Sequence, residues 1–155
     1  MKTKMNKQSL ILFLATGAYS GNMSFAPGTW GTLAGIPLCY FLSCLTWPVQ
    51  ILILVIFMPF AAWISGQGEK ILATKDPGAI VIDEIAGIMI TLVFVPFNLI
   101  NVFAGFLLFR FFDILKPYPI SKAETFFKGG TAILMDDIIA GVFARVILEF
   151  LIRWV

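Results

Sequence analysis

Five apolar stretches, at about 33–45, 49–64, 79–97, 99–115 and 133–152, take up most of the chain and leave only short polar turns between them. None alternates with a sustained period of two, so they read as helices rather than strands. With 59% hydrophobic residues, 13% charged residues and a mean hydropathy of +0.94, the 155 residues hold more apolar side chain than a water-soluble core of that size can hide. The expected fold is all-α: a multi-helix integral membrane bundle. Several stretches fall short of the roughly 20 residues of a full span, which predicts short, tilted or re-entrant transmembrane helices. No Ser/Gly-rich or charged stretch is long enough to divide the chain, so residues 1–155 are expected to form one domain.

Charge placement orients the bundle. Residues 43–50 and 96–101 contain no Lys or Arg, whereas the N-terminus, 66–78 and 116–130 hold eight lysines between them. The lysine-bearing side is expected in the cytoplasm, and Pro48 and Pro96 mark the turns on the other side. Lys2, Lys4 and Lys7 precede a short apolar run at 10–15 that resembles a secretory leader, but no small-x-small site closes it, so cleavage is not expected. Cys39 and Cys44 lie in an apolar segment and read as small buried hydrophobes, with no disulfide implied. No basic block interleaved with aromatics is present, so nucleic acid is not an expected partner.

Within these stretches stand five carboxylates, Asp83, Glu84, Asp113, Asp136 and Asp137, in the settings IVIDEIAG, FRFFDILKP and ILMDDIIAG, and the chain has no histidine. An acid in such surroundings costs several kcal/mol unless a cation or donor compensates it. Carboxylate oxygens without imidazole or thiolate suit a hard cation such as Mg2+. Followed through the expected topology, all five acids arrive at one depth on the cytoplasmic side. The acidic pairs at 83–84 and 136–137 are each followed by Ala-Gly, placing Gly87 and Gly141 one turn beyond Asp83 and Asp137 on the same helix face. Small residues there would let two helices approach and bring Asp83, Glu84, Asp136 and Asp137 to one ion.

Arg110, Asp113 and Lys116 share a helix face at spacings of three. This is either a phosphate grip, guanidinium and ammonium flanking an acid, or a self-neutralising pair with a snorkelling lysine. Pro117 and Pro119 then stop the helix. Arg145 and Glu149 read as a structural ion pair at helical spacing. The segment 26–32, APGTWGT, is a turn whose amides and Thr29 and Thr32 hydroxyls would meet a phosphate at a helix N-terminus, or only cap the helix. Gly129-Gly130-Thr131 poses the same choice.

Elimination narrows the chemistry. Lack of histidine excludes a Ser-His-Asp triad and histidine-dependent phosphatases; no GxxxxGK[ST] loop is present, and neither cysteine has an arginine six residues on. Metal-assisted transfer at a phosphoryl group remains. A cation transporter or channel using the same acids is the alternative, and it predicts acids spread through the membrane's depth rather than gathered at one level.

In order along the chain, PGTWGTLAGIP, IVIDEIAG, FRFFDILKPYPI and GGTAILMDDIIAG resemble the phosphatidylglycerophosphatase A family, over nearly everything past Pro27. The resemblance implies a Mg2+-dependent membrane phosphatase that converts phosphatidylglycerophosphate to phosphatidylglycerol in the bacterial cytoplasmic membrane. It also implies that Asp83, Glu84, Asp113, Asp136 and Asp137 are catalytic, with Arg110 and Lys116 beside them on the substrate phosphate. Two departures stand out. Asp76-Pro77-Gly78 occupies a loop where family members often carry histidine, and Ala132 replaces a glycine before the last acidic pair.

Overall fold

Prolines and left-handed residues set the helix boundaries of this chain. In the computed structural model, which describes residues 6–127 and 129–154, the helices are α1 (Lys7–Ala15), α2 (Pro27–Ser43), α3 (Trp47–Leu72), α4 (Ile82–Leu92), α5 (Leu99–Leu115), α6 (Ile120–Phe126) and α7 (Gly130–Trp154). The described residues contain no strand. Lys2, Lys4 and Lys128 lie outside them. Pro27 opens α2 and Pro48 falls in the first turn of α3, where a missing N–H leaves no intrahelical bond unmade. After Leu115 the chain turns at Lys116, which sits in the left-handed region at φ 42, and Pro117 follows.

The helices match the apolar stretches with informative differences. α1 was not expected as a packing element, yet Ala15 is fully buried and its carbonyl accepts the Val81 N–H at 2.9 Å. Segment 27–32 is the start of α2 rather than a turn. α3 runs on through 65–72, where Gly68 packs against Ala15 and Ile80. α4 is shorter than its apolar stretch, because the backbone at 80–81 leaves helical form to meet α1 and the chain turns again after Leu92.

α4 lies at the centre, packed by α2, α3, α5 and α7. It is apolar nearly all round, as a helix without a solvent face must be: Ile85, Ile88, Met89 and Leu92 meet Phe109, Phe112, Ala140, Ala144 and Leu148, while Ile82 and Ala86 join Ile64 and Leu134. At its far end the lysine-free turns come together. Gln50 donates from Nε2 to the Leu45 carbonyl (2.9 Å) and accepts the Phe94 N–H at Oε1 (3.3 Å). The first turn of α4, carrying Asp83 and Glu84, is at the opposite end.

The expected membrane bundle is all-helical, but among the described residues α3 is the single helix long and apolar enough to cross a membrane by itself, with a mean hydropathy of 2.1 over its best window. α4, with 11 residues, is about 16 Å long. α7 has the length but carries Asp136, Asp137, Arg145, Glu149 and Arg153.

Candidate active site

The first turn of α4 supplies Asp83 and Glu84, and the second turn of α7 supplies Asp136 and Asp137. What brings them together is a close crossing further along both helices. A Cβ on Gly141 would stand 2.6 Å from the Gly87 carbonyl oxygen, and one on Gly87 would stand 3.0 Å from the Asp137 carbonyl oxygen while colliding with the Phe109 ring. Only glycine fits on either side. The Thr91 hydroxyl lies 2.9 Å from the Gly87 oxygen and 3.4 Å from that of Gly141, so its one proton is placed between two carbonyls where the backbones meet.

One turn toward the lysine-rich end, carboxylate oxygens of Asp83, Glu84 and Asp137 lie within 4.8 Å of one another. Asp83 and Asp137 are 7% and 3% exposed. At that spacing each pair of ionised carboxylates repels by about 3 kcal/mol, taking an effective dielectric near 20. Asp83 Oδ1 and Glu84 Oε2 are buried and receive no hydrogen bond from the described residues. Buried acceptors are normally satisfied, so converging carboxylate oxygens, two of them without a donor among the described residues, have the character of a hard-cation cage. Asp113 and Asp136 add their charge to the same region, acting electrostatically on members of the trio.

Two cations flank the trio. Arg110 pairs through Nη1 with Asp113 Oδ2, three residues on along α5. Lys116, turned by its left-handed backbone, pairs with Asp136 Oδ2 across to α7. Asp136, expected among the metal ligands, thus meets an ammonium through Oδ2, while the tightest grouping of carboxylates is Asp83, Glu84 and Asp137. The guanidinium lies over Gly28 in the first turn of α2: a Cβ there would meet Glu84 Oε1 and stand 3.0 and 3.1 Å from Arg110 Nη1 and Nη2. Arg110 Nε is buried with no hydrogen-bond acceptor among the described residues.

Thr32, expected to face a phosphate, is fully buried with its hydroxyl donating to the Gly28 carbonyl at 2.8 Å, inside α2. Thr29 is partly exposed in the helix's first turn. Reading residues 26–32 as a turn missed the use of its glycines. Gly28, Gly31 and Gly35 form one face of α2, against Glu84 and Arg110, Val81, and Ile88 in turn. Their spacing of three and four was the available signal for a close-packed helix face. Gly130 likewise backs onto Ala62 and Gly66 of α3, a packing use. Arg145 pairs with Glu149 at 2.5 Å, and Arg153 joins at 3.0 Å, away from the trio along α7. The five acids gather at one end of the bundle rather than in a file along it.

Sequence comparison assigns the family. The model of the phosphatidylglycerophosphatase A family matches residues 13–152, which include every residue of the trio and both cations. The chain belongs to the phosphatidylglycerophosphatase A family. It is 36% identical over 151 residues to phosphatidylglycerophosphatase A of Escherichia coli (strain K12), covering 97% of this chain and 88% of the relative. The Haemophilus influenzae enzyme of that name is 33% identical, with 97% and 94% covered. A protein of Bacteroides thetaiotaomicron named a putative phosphatidylinositol-3-phosphatase is 38% identical, with 94% and 95% covered. No solved structure matches. Membership in the phosphatidylglycerophosphatase A family makes this chain a phosphatase of phospholipid metabolism.

Proposed function

We propose that the chain is a Mg2+-dependent lipid phosphatase, set in the bacterial cytoplasmic membrane, that hydrolyses phosphatidylglycerophosphate to phosphatidylglycerol and inorganic phosphate at a site facing the cytoplasm. The observation that carries this reading is the juxtaposition of the carboxylate trio Asp83, Glu84 and Asp137, with Asp83 Oδ1 and Glu84 Oε2 lacking a hydrogen-bond partner among the described residues, and the Arg110 guanidinium over Gly28. Asp83, Glu84 and Asp137 would hold the ion. When bound, Mg2+ supplies neutralisation of phosphoryl oxygens and a lowered pKa for water.

The remaining steps belong to the chain. Arg110 offers a fork of donors to the phosphate oxygens, and Asp113 keeps that fork oriented by occupying Nη1. Lys116 and Asp136 form a second charged pair at the rim, where an ammonium can attract the dianionic monoester. Gly28 leaves the space that the Glu84 carboxylate and the Arg110 guanidinium occupy. In the reaction water adds to phosphorus, the bond to the lipid oxygen breaks, and the lipid leaves as an alcohol.

A bilayer setting draws support from the outer surface. Leu99, Ile100, Phe103 and Ile114 of α5 and Leu52, Val55 and Ile56 of α3 are all more than half exposed, an apolar expanse larger than a monomer in water normally presents.

The test is phosphate release from phosphatidylglycerophosphate by purified protein in mixed micelles. Chelation by EDTA should abolish release and Mg2+ should restore it. Full activity in excess chelator would remove the metal, and absence of release with Mg2+ would remove the substrate.

A further inference from the structure

Beside the acidic trio lies a cavity of about 210 Å3 that the phosphatase chemistry above does not use. Asp136, neighbour of Asp137 and partner of Lys116, forms one wall, and Glu69, Lys75, Asp76, Phe127 and Ala132 contribute to the rest. The polar part is built by the chain's geometry. Glu69, in the last turns of α3, accepts the Asp76 N–H at 3.2 Å, and the loop between them turns through left-handed residues at Ala73 (φ 51) and Asp76 (φ 47). That clip holds Lys75 and Asp76 at the cavity.

Its size and lining point to a class of ligand. Pockets for drug-sized ligands run to about 300–1,000 Å3, so this one is of a size for a headgroup. The carboxylates of Glu69 and Asp76, with Asp136 at the wall, accept hydrogen bonds from hydroxyls, the Lys75 ammonium serves the oxygens of a phosphodiester, and Phe127 offers an apolar wall to the C–H faces of a polyol. The groups attached to a phosphate held at the trio must occupy adjoining space, and Asp136 joins the two. We propose that this cavity receives the polyol headgroup of the lipid phosphomonoester, and that Glu69, Lys75 and Ala132 determine which headgroup is accepted. The proposal rests on the lipid-phosphatase reading and adds to it a selecting site away from the metal trio. The glycerol of phosphatidylglycerophosphate, esterified at both ends, keeps one free hydroxyl, whereas the larger inositol ring keeps several, so this lining can tell the two apart by bulk and by hydroxyl number.

The experiment compares wild type, Glu69→Gln and Ala132→Leu on phosphatidylglycerophosphate and on phosphatidylinositol 3-phosphate, with inhibition by inorganic phosphate as a probe of the phosphate site alone. Glutamine keeps an acceptor for the Asp76 N–H and removes only the charge; leucine fills the cavity. KM for phosphatidylglycerophosphate should rise about threefold to tenfold in Glu69→Gln and at least tenfold in Ala132→Leu. The bulkier inositol lipid should lose more than the glycerol lipid in Ala132→Leu, while Ki for inorganic phosphate stays within twofold in both variants. Unchanged KM for both lipids in the folded variants, or a phosphate Ki that rises in step with KM, would overturn the headgroup site while leaving the phosphatase reading intact. Wild-type protein releasing phosphate from neither lipid would sink that reading and the headgroup site with it.

Discussion

Arg110 and Lys116 are each tied to one acid, yet their pairings ask different things of the side chain. Arg110 meets Asp113 with a single terminal nitrogen, and its Nε is buried with no acceptor among the described residues. A lysine there would keep the charge and the partner but lose the fork that phosphate matches. Arg110→Lys should therefore lower kcat/KM by at least about tenfold, or about 1.4 kcal/mol, with the Mg2+ requirement unchanged. Activity near wild type in folded protein would make Arg110 merely Asp113's counter-ion. Asp83→Asn removes charge from the trio itself, so kcat should fall by about a hundredfold or more with the Mg2+ concentration for half-activity raised; a normal Mg2+ titration would take Asp83 out of the metal shell. The five acids were legible because nothing else explains charge inside apolar runs. The Arg110–Asp113 pair is one of two readings of the helical spacing, whereas the Lys116–Asp136 pair is not legible, since it depends on the left-handed turn at Lys116, which nothing in the local sequence requires.

The α4–α7 crossing places the trio, and it is one of the more legible parts of the fold. The repeated acid-acid-x-Ala-Gly pattern around 83–87, and its counterpart with one further apolar residue at 136–141, put a glycine one turn from an acid on each helix. Only glycine survives at both places, because the Gly87 backbone fills the space opposite Gly141, and the Phe109 ring and the Asp137 carbonyl fill the space opposite Gly87. Gly141→Val would force the helices apart. The strain of about 1–3 kcal/mol from overpacking exceeds the few tenths by which valine outdoes glycine in helix propensity. We expect a fall in Tm and at least a tenfold loss of kcat/KM, since Asp137 moves away from Asp83. Gly78→Ala is the control, its nearest neighbour being Pro27 Cγ at 4.0 Å, and it should change neither quantity appreciably. Wild-type stability and turnover in Gly141→Val would show that the crossing does not position the acids. Less legible were α1 and the end of α3, because both depend on contacts with the non-helical strand of chain at 80–81 rather than on any periodicity of their own.

At the scale of the whole molecule, lysine placement and structure divide the bundle in the same way. The lysine-free turns meet through Gln50, and the acids lie at the other end of α4. Hydropathy revealed the apolar segments but not how deeply each sits, since burial of α4 comes from its neighbours and α7 mixes long apolar faces with charges. The proposed orientation has a native reporter. Cys44 is exposed at the end of α2, in the lysine-free turn, whereas Cys39 is buried and protected from reagent. An impermeant maleimide added to intact cells should label Cys44. Ser121, exposed on α6 near the lysine-bearing end, supplies the opposite arm: Ser121→Cys in a Cys44→Ser background should label only after the membrane is opened. Both positions avoid the Asn98 side chain, which caps α5 by accepting the Asn101 N–H at 2.9 Å and whose loss would cost about 1 kcal/mol. Labelling of Ser121→Cys from outside intact cells, with Cys44 protected until lysis, would reverse the orientation and put the acidic trio on the far side from the cytoplasm.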